Sequence, residues 1–435
     1  MASVPQEPSR DSHTVERQQL SSTADITTRR RLALTLICLS SLTVYTSVFP
    51  VFATQICDFF SLSNEQFGSL MGMQSLGRVA ALLVVGPLIS WCGVRRIAEL
   101  GILGCGASFL LLGMGGGIGL FQCGLTSLGM FIGVGSVAHP SFLFAIFPGI
   151  KRRVFSVKLV SVAVPGILLP LVAGSLLRWS GTGGDETFRW VLYVPFLMVG
   201  STLVAGGLLM ALKSYTVEES ADSEQTGVRQ LQARSRIRLL QLLNIRSLLV
   251  IVLISLHASA DTTIYTFLPM FMENHFDHLP IKPAYAVAGH GLAYLVTRGL
   301  LSVMPERIAQ RAILCLSGPI GGMILIFSIW SGNAMYVPVL YTLACFFVAA
   351  EFPALVSELP SRSMGNLGTV LAASYLVTEL AKFVMLKLTG RVADQTGDYR
   401  VALTFAAGGF VAFGVIAFLT GFGRPAVEEN CPSHG

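Results

Sequence analysis

Runs of about twenty mostly apolar residues recur along this chain, and they restrict its fold more than any other feature. A bilayer core about 30 Å thick is crossed by a helix of about 20 apolar residues. A helix also satisfies its own backbone polar groups where no water can. Twelve such runs are readable. The first six cover 32–54, 66–90, 97–118, 121–146, 156–178 and 189–212. The second six cover 247–272, 285–304, 312–331, 335–358, 367–390 and 400–421. Charged residues make up 12% of the chain, about half of the roughly 25% usual in soluble domains. The expected fold is therefore an all-α membrane protein with 12 transmembrane helices, and a soluble globular enzyme is excluded.

The net charge of +6 is spread over short connecting segments and forms no patch suited to nucleic acid. Its distribution reports topology instead, because Lys and Arg concentrate on the cytoplasmic side of a membrane protein. Arg29–Arg31, Arg95, Arg96, Lys151–Arg153, Lys213, Arg229, Arg234, Arg236, Arg238, Arg246, Arg307, Arg311, Arg362 and Arg424 fall in one set of segments. The opposite set holds Arg178, Arg189, Lys282, Arg391 and Arg400. Both termini are thus expected in the cytoplasm, with the chain in the plasma (inner) membrane. The expected parts are a disordered tail over 1–31, a six-helix bundle over 32–212, a linker over 213–246, a second bundle over 247–421 and a tail over 422–435. The linker starts acidic ("VEESADSE") and ends basic and amphipathic ("RQLQARSRIRLLQLLNIR"), as a surface-lying helix would or a solvated connector. Eight cysteines form no C-x-x-C pair and read as small hydrophobes. No metal or cofactor is expected. The expected partners are the lipid bilayer and a small-molecule substrate, with no nucleic acid, and the expected state is a monomer.

The two halves repeat. With a shift of 216 residues, Gly86–Arg95 falls on Ser302–Arg311 and Gly174 on Gly390. "FPVF" at 49–52 answers "LPMF" at 268–271, and Pro140 answers Pro353. The stretch after the second span of each half resembles motif A of the major facilitator superfamily, G-x-x-x-D-R-x-G-R-R. Gly86, Gly93 and Arg95 match in the first copy, where Ser90 and Trp91 replace the acid and the base; Glu306, Arg307 and Arg311 match in the second. The resemblance implies two pseudo-symmetric six-helix bundles (the MFS fold), with these six residues forming a charged gating latch.

Ionisable side chains inside a membrane cost several kcal/mol, so they face a cavity or a partner. Arg78, His139, Lys158, His257, Asp261, His290, Arg298, Glu351, Glu379 and Lys382 lie at depth in spans 2, 4, 5, 7, 8, 10 and 11. Spans 3, 6, 9 and 12 carry none near mid-depth, which marks them as peripheral. His257, Asp261 and Tyr265 recur every four residues on span 7, one helical face. Asp261, helped by His257, or else Glu379 or Glu351, is the candidate proton-coupling group; a permanently paired, bundle-bracing Asp261 is the alternative. Span 8 sets His290, Tyr294, Thr297 and Arg298 along a comparable stripe. Tyr375, Thr378, Glu379 and Lys382 share a stripe on span 11, where Glu379 and Lys382 can neutralise each other. The planar fork of Arg suits a carboxylate or oxyanion. Arg298, Lys382 and Arg78, with Tyr294, Tyr375 and Tyr45, are the candidate substrate-binding set. Alternatively the arginines form gate salt bridges with acids of the opposite half.

An Arg on span 2 and one on span 8 resemble the nitrate/nitrite porters, whose glycine-rich signatures in spans 5 and 11 are absent here. Arg298 with Lys382 resembles the oxalate/formate and monocarboxylate carriers. Span 5 reads "VPGILLPLVAG" and lacks the G-x-x-x-G-P-x-x-G-G pattern of drug/proton antiporters. The expected function is secondary active transport of a small organic anion, proton-coupled or by exchange, through alternating access. Efflux of hydrophobic or cationic compounds and a non-transporting receptor or sensor are the alternatives. With no metal-spaced His/Glu set, no G-x-S-x-G and no P-loop, an enzyme is not expected.

Overall fold

The computed structural model describes residues 30–147, 151–180, 184–214, 245–303, 311–355 and 367–421. The first half comprises α1 (Arg30–Phe60), α2 (Asn64–Cys92), α3 (Val94–Gly113), α4 (Ile118–Ile146), α5 (Lys151–Ser180) and α6 (Gly184–Ser214). The second comprises α7 (Ile245–His275), α8 (Pro283–Val303), α9 (Ile313–Trp330), α10 (Tyr336–Leu355), α11 (Leu367–Thr396) and α12 (Tyr399–Leu419). Among the described residues, ten of these helices are long and apolar enough to cross a membrane. The remaining two, α8 and α11, have 21 and 30 residues. Their hydropathy is diluted by His290 and Arg298 in one and by Glu379, Lys382 and Lys387 in the other. Both helices carry charges of the central clusters. The linker segment 229–244 and the motif residues Glu306 and Arg307 lie outside the described residues, as do 1–29 and 422–435.

Packing repeats between the halves. In the first, α3 lies against α4 and α6, and α2 against α4; in the second, α9 lies against α10 and α12, and α8 against α10. The halves meet mainly through α2 on α11 and α5 on α8, with α1 touching α7 and α8. The third helix of each three-helix unit takes no part in these large cross-half contacts. An aromatic core of Tyr45, Phe49, Phe109, Phe121 and Phe196 holds the first half together through edge and tilted ring contacts of 5.3–6.4 Å.

Two irregular turns break the helices. Within α1, Thr43–Phe52 winds as a 3-10 helix around Pro50, whose missing N–H removes one helical hydrogen bond. Ten residues is long for a 3-10 run, and mid-helix stretches of this kind mark hinges. A π-turn over Ile313–Ser317 opens α9.

Both described ends, Arg30 and Gly421, lie on one face of the molecule, the tail face. At the opposite face the halves are clamped. A Cβ on Gly68 would collide with the Leu386 carbonyl, and one on Gly390 with the Asn64 carbonyl. At the face opposite the tails the halves are closed against each other through α2 and α11.

Candidate substrate site

The clamp starts at the first turn of α2. Ser63 caps it, its Oγ accepting from Gln66 N while Gln66 Oε1 accepts from Ser63 N. That leaves the N–H groups of Asn64 and Glu65 to be satisfied, since the first turn of a helix has no internal acceptors. Both donate across the half interface to Asp394 of α11, at 3.0 and 2.8 Å. A carboxylate at a helix N-terminus is favoured by the macrodipole as well. Tyr399 donates to Asn64 Oδ1 at 2.5 Å and accepts from Asn274 Nδ2 at 3.2 Å. Lys387 Nζ stands 3.7 Å from Glu65 Oε1.

Mid-depth, α2 and α11 bring three charges together. Arg78 Nη1 donates to Glu379 Oε1 at 3.3 Å, and Lys382 Nζ donates to the same oxygen at 2.9 Å. Glu379 Oε2 is buried beside Ser75 without a well-formed hydrogen bond. Two cations thus share one carboxylate, and the Nε of Arg78 has no hydrogen-bond partner. Tyr375 is half-buried one turn before Glu379.

A second group forms where α7, α8 and α10 converge. His290, Tyr294 and Arg298 lie one turn apart on α8 and stack into a column. The rings of His290 and Tyr294 are 4.3 Å apart at 23°, and the Arg298 guanidinium sits 4.8 Å over the Tyr294 ring. Around His290 Nδ1 gather Tyr341 Oη at 3.0 Å, Cys345 Sγ at 3.5 Å and Asp261 Oδ1 at 3.9 Å. Tyr265 packs its ring 4.7 Å from that of His290 and donates to the Ser47 carbonyl of the α1 hinge at 3.2 Å. No carboxylate within ion-pair distance of Arg298 is found among the described residues, and its buried Nε has no hydrogen-bond partner.

Other expected site residues lie elsewhere. His257 Nδ1 is 2.7 Å from Glu351 Oε2, and Ser317 donates to Glu351 Oε1 at 3.2 Å. Phe352, Phe410 and Phe413 ring His257, so this pair is sealed inside the second bundle. His257 is turned toward Glu351, and His290 is the histidine that meets Asp261. Tyr45 packs in the aromatic core of the first half. His139 is buried against the Ala98 carbonyl at 3.2 Å.

A family model for the Major Facilitator Superfamily matches residues 33–384. The chain belongs to that superfamily. Its fold is shared with several solved members. One is an MFS transporter, FucP, in an outward conformation, with 17% identity, 89% of this chain and 97% of that one covered, and a TM-score of 0.59. A bacterial homologue of the human lysosomal transporter Spinster, inward-facing and occupied, gives 13% identity, 90% and 95% coverage, and 0.62. The same homologue in its inward-facing, unoccupied form gives 14%, 90% and 95%, and 0.61. No curated protein sequence matches the chain at a significant level. As an MFS member, the protein is a multi-pass membrane protein built on a transporter fold.

The first motif A copy keeps its turn and changes its charges. Gly93 has φ +84°, in the region that L side chains avoid, which lets α2 turn tightly into α3. Arg95 Nε reaches Glu99 of α3 at 3.3 Å, while Ser90 bonds to its own helix. In the second copy, Arg311 is exposed.

His290, Tyr341, Cys345 and Asp394 were not among the expected site residues. The stripe of His290, Tyr294 and Arg298 at four-residue spacing was a usable signal for the first. Nothing local marks Asp394, since its role depends on a helix end some 330 residues away.

Proposed function

We propose that this MFS protein is a proton-coupled secondary transporter of a small organic anion, with Arg298, Lys382 and Arg78 binding the carboxylate. The observation that carries this reading is the Arg298 guanidinium, held over Tyr294 with no carboxylate within ion-pair distance among the described residues. An arginine is always charged, and its fork suits a carboxylate's two oxygens. Counting Arg78, Lys382 and Arg298 against Glu379 and Asp261, the fixed groups of the two clusters favour a negative ligand. An entering carboxylate competes with Glu379 for Lys382. Asp261, 3.9 Å from His290 at one end of the stacked column, is the acid of the coupling site, and both termini face the cytoplasm in this reading.

Export of cations is the competing reading, and it needs unpaired acids facing the cavity. Glu351 is sealed against His257 and Ser317, and Glu379 is held by two cations. That leaves Asp261 as its sole acid among the acids of these clusters. Uptake of labelled lactate and oxalate into liposomes tests the proposal. Arg298→Ala and Lys382→Ala are each expected to lower uptake at least tenfold, with unfolding temperatures unchanged. Undiminished uptake in both variants refutes the anion site.

A further inference from the structure

We infer that His290 is the proton-carrying group of this transporter, and that it reads the occupancy of Arg298 through the stacked ring of Tyr294. The inference rests on the anion-transport reading above and adds a residue and a coupling route to it.

The geometry supports this from two directions. Tyr341, Cys345 and Asp261 all address one ring nitrogen of His290, Nδ1. A histidine has two ring nitrogens, and the state of Nδ1 sets which way those neighbours hydrogen-bond. With the ring neutral, Nδ1 accepts the Tyr341 hydroxyl hydrogen. With the ring protonated, Nδ1–H donates, and Asp261 supplies the counter-charge. The proton comes from water on the side to which the site is open, binds Nδ1, and returns to water once the site opens to the other side. A hydronium ion loses one O–H bond as the Nδ1–H bond forms, and on release the N–H bond breaks and water takes the proton back as hydronium.

The second direction is the column itself. The two stacking distances place the Arg298 guanidinium no more than about 9 Å from the His290 ring. An uncompensated guanidinium at that range opposes a second positive charge on the ring. Two unit charges about 9 Å apart at an effective dielectric of about 20 alter proton binding by roughly twentyfold. A carboxylate arriving at Arg298 cancels that opposition, so anion and proton enter together. The groups facing His290 are Asp261 and Tyr265 from α7, Tyr294 and Arg298 from α8, and Tyr341 and Cys345 from α10. His257, four residues before Asp261 on α7 and paired with Glu351, lies within electrostatic reach of the His290 ring. Asp261 keeps its place as counter-ion of the protonated ring, so Asp261→Asn also weakens coupling.

A ligand-free test addresses the coupling. The full-length protein is labelled with 15N-histidine, and the His290 signal is assigned by its loss in His290→Gln. Its titration midpoint is then compared with that in Arg298→Gln, where the removed charge imitates the arrival of the anion. The midpoint is expected to rise by about 1.3 pH units, the roughly twentyfold gain in proton binding. A midpoint that stays in place overturns the inference.

A flux test uses lactate and oxalate in liposomes. In His290→Gln and His290→Asn, the ratio of gradient-driven accumulation to counterflow exchange is expected to fall at least tenfold. A merely structural role would lower both fluxes alike. Accumulation at the wild-type ratio in either variant overturns the inference. If the midpoint shifts but the wild-type protein moves neither anion, the coupling stands and the carboxylate reading of the substrate fails.

Discussion

Glu351 and His257 face each other inside the second bundle, and their energetics follow from that. Both are almost fully buried, with exposures of 0% and 3%, and each satisfies the other at 2.7 Å. Removing one member of a buried hydrogen-bonded pair leaves the other without compensation, which costs about 3–5 kcal/mol. Glu351→Ala is therefore expected to lower the midpoint of unfolding in detergent strongly, and it costs more than Glu351→Gln, which can still hydrogen-bond the ring. Equal loss in both variants would show that the pair contributes nothing specific. Glu379 behaves differently because it sits between two cations at the α2–α11 interface. Glu379→Gln removes the internal competitor for Lys382 and Arg78. Lactate or oxalate is expected to bind several-fold more tightly to this variant while turnover slows, as read by calorimetry and counterflow. The proximity of Glu379 and Lys382 was legible in the sequence, because residues three apart on a helix share a face. The third partner, Arg78, was readable only as a charge needing one, since its approach depends on the packing of α2 on α11. The same limit hid the pairing of His257 with Glu351, which joins two helices 94 residues apart.

At the scale of helices, the closed face depends on one carboxylate completing another element's first turn. Asp394 of α11 satisfies two donors of α2 that nothing in α2 itself can satisfy. Losing an N-terminal capping acceptor costs about 1 kcal/mol, which shifts a two-state equilibrium about fivefold. Asp394→Ala is expected to move the protein by that factor toward the form open at this face, measured by labelling of a cysteine placed at Lys387. Unchanged labelling would show that the cap is incidental. The helices themselves were easy to read, because apolar runs of membrane length leave no competing structure. Their observed ends lie mostly within a few residues of the expected ones, with α11 running longer, to Thr396. The 3-10 stretch of α1 was not foreseen. Pro50 marks its place, but Pro269 in the matching position of α7 sits in an unbroken α-helix. A proline alone therefore does not decide the turn type; the neighbouring packing does.

For the whole molecule, duplication and packing describe one design. Two bundles meet along α2–α11 and α5–α8, with the ionisable groups at mid-depth and the clamp at one face. The charge-poor spans 3, 6, 9 and 12 stand outside this seam, as their composition implied. Such an arrangement transports by rocking one bundle against the other around a fixed site. Opening the clamped face must then close the tail face. Spin labels on two pairs of positions test this most directly. One pair, Glu65 and Lys387, spans the clamp between α2 and α11; the other, Val157 and Leu300, spans the tail-side ends of α5 and α8, and both of its members are exposed. Replacing the partly exposed Glu65–Lys387 pair costs little, since surface ion pairs contribute about 0–1 kcal/mol. With lactate or oxalate added in acid, the account predicts a second population in which the first distance lengthens while the second shortens. Distances that change together, or a clamp distance that never lengthens under any ligand or pH, would contradict it.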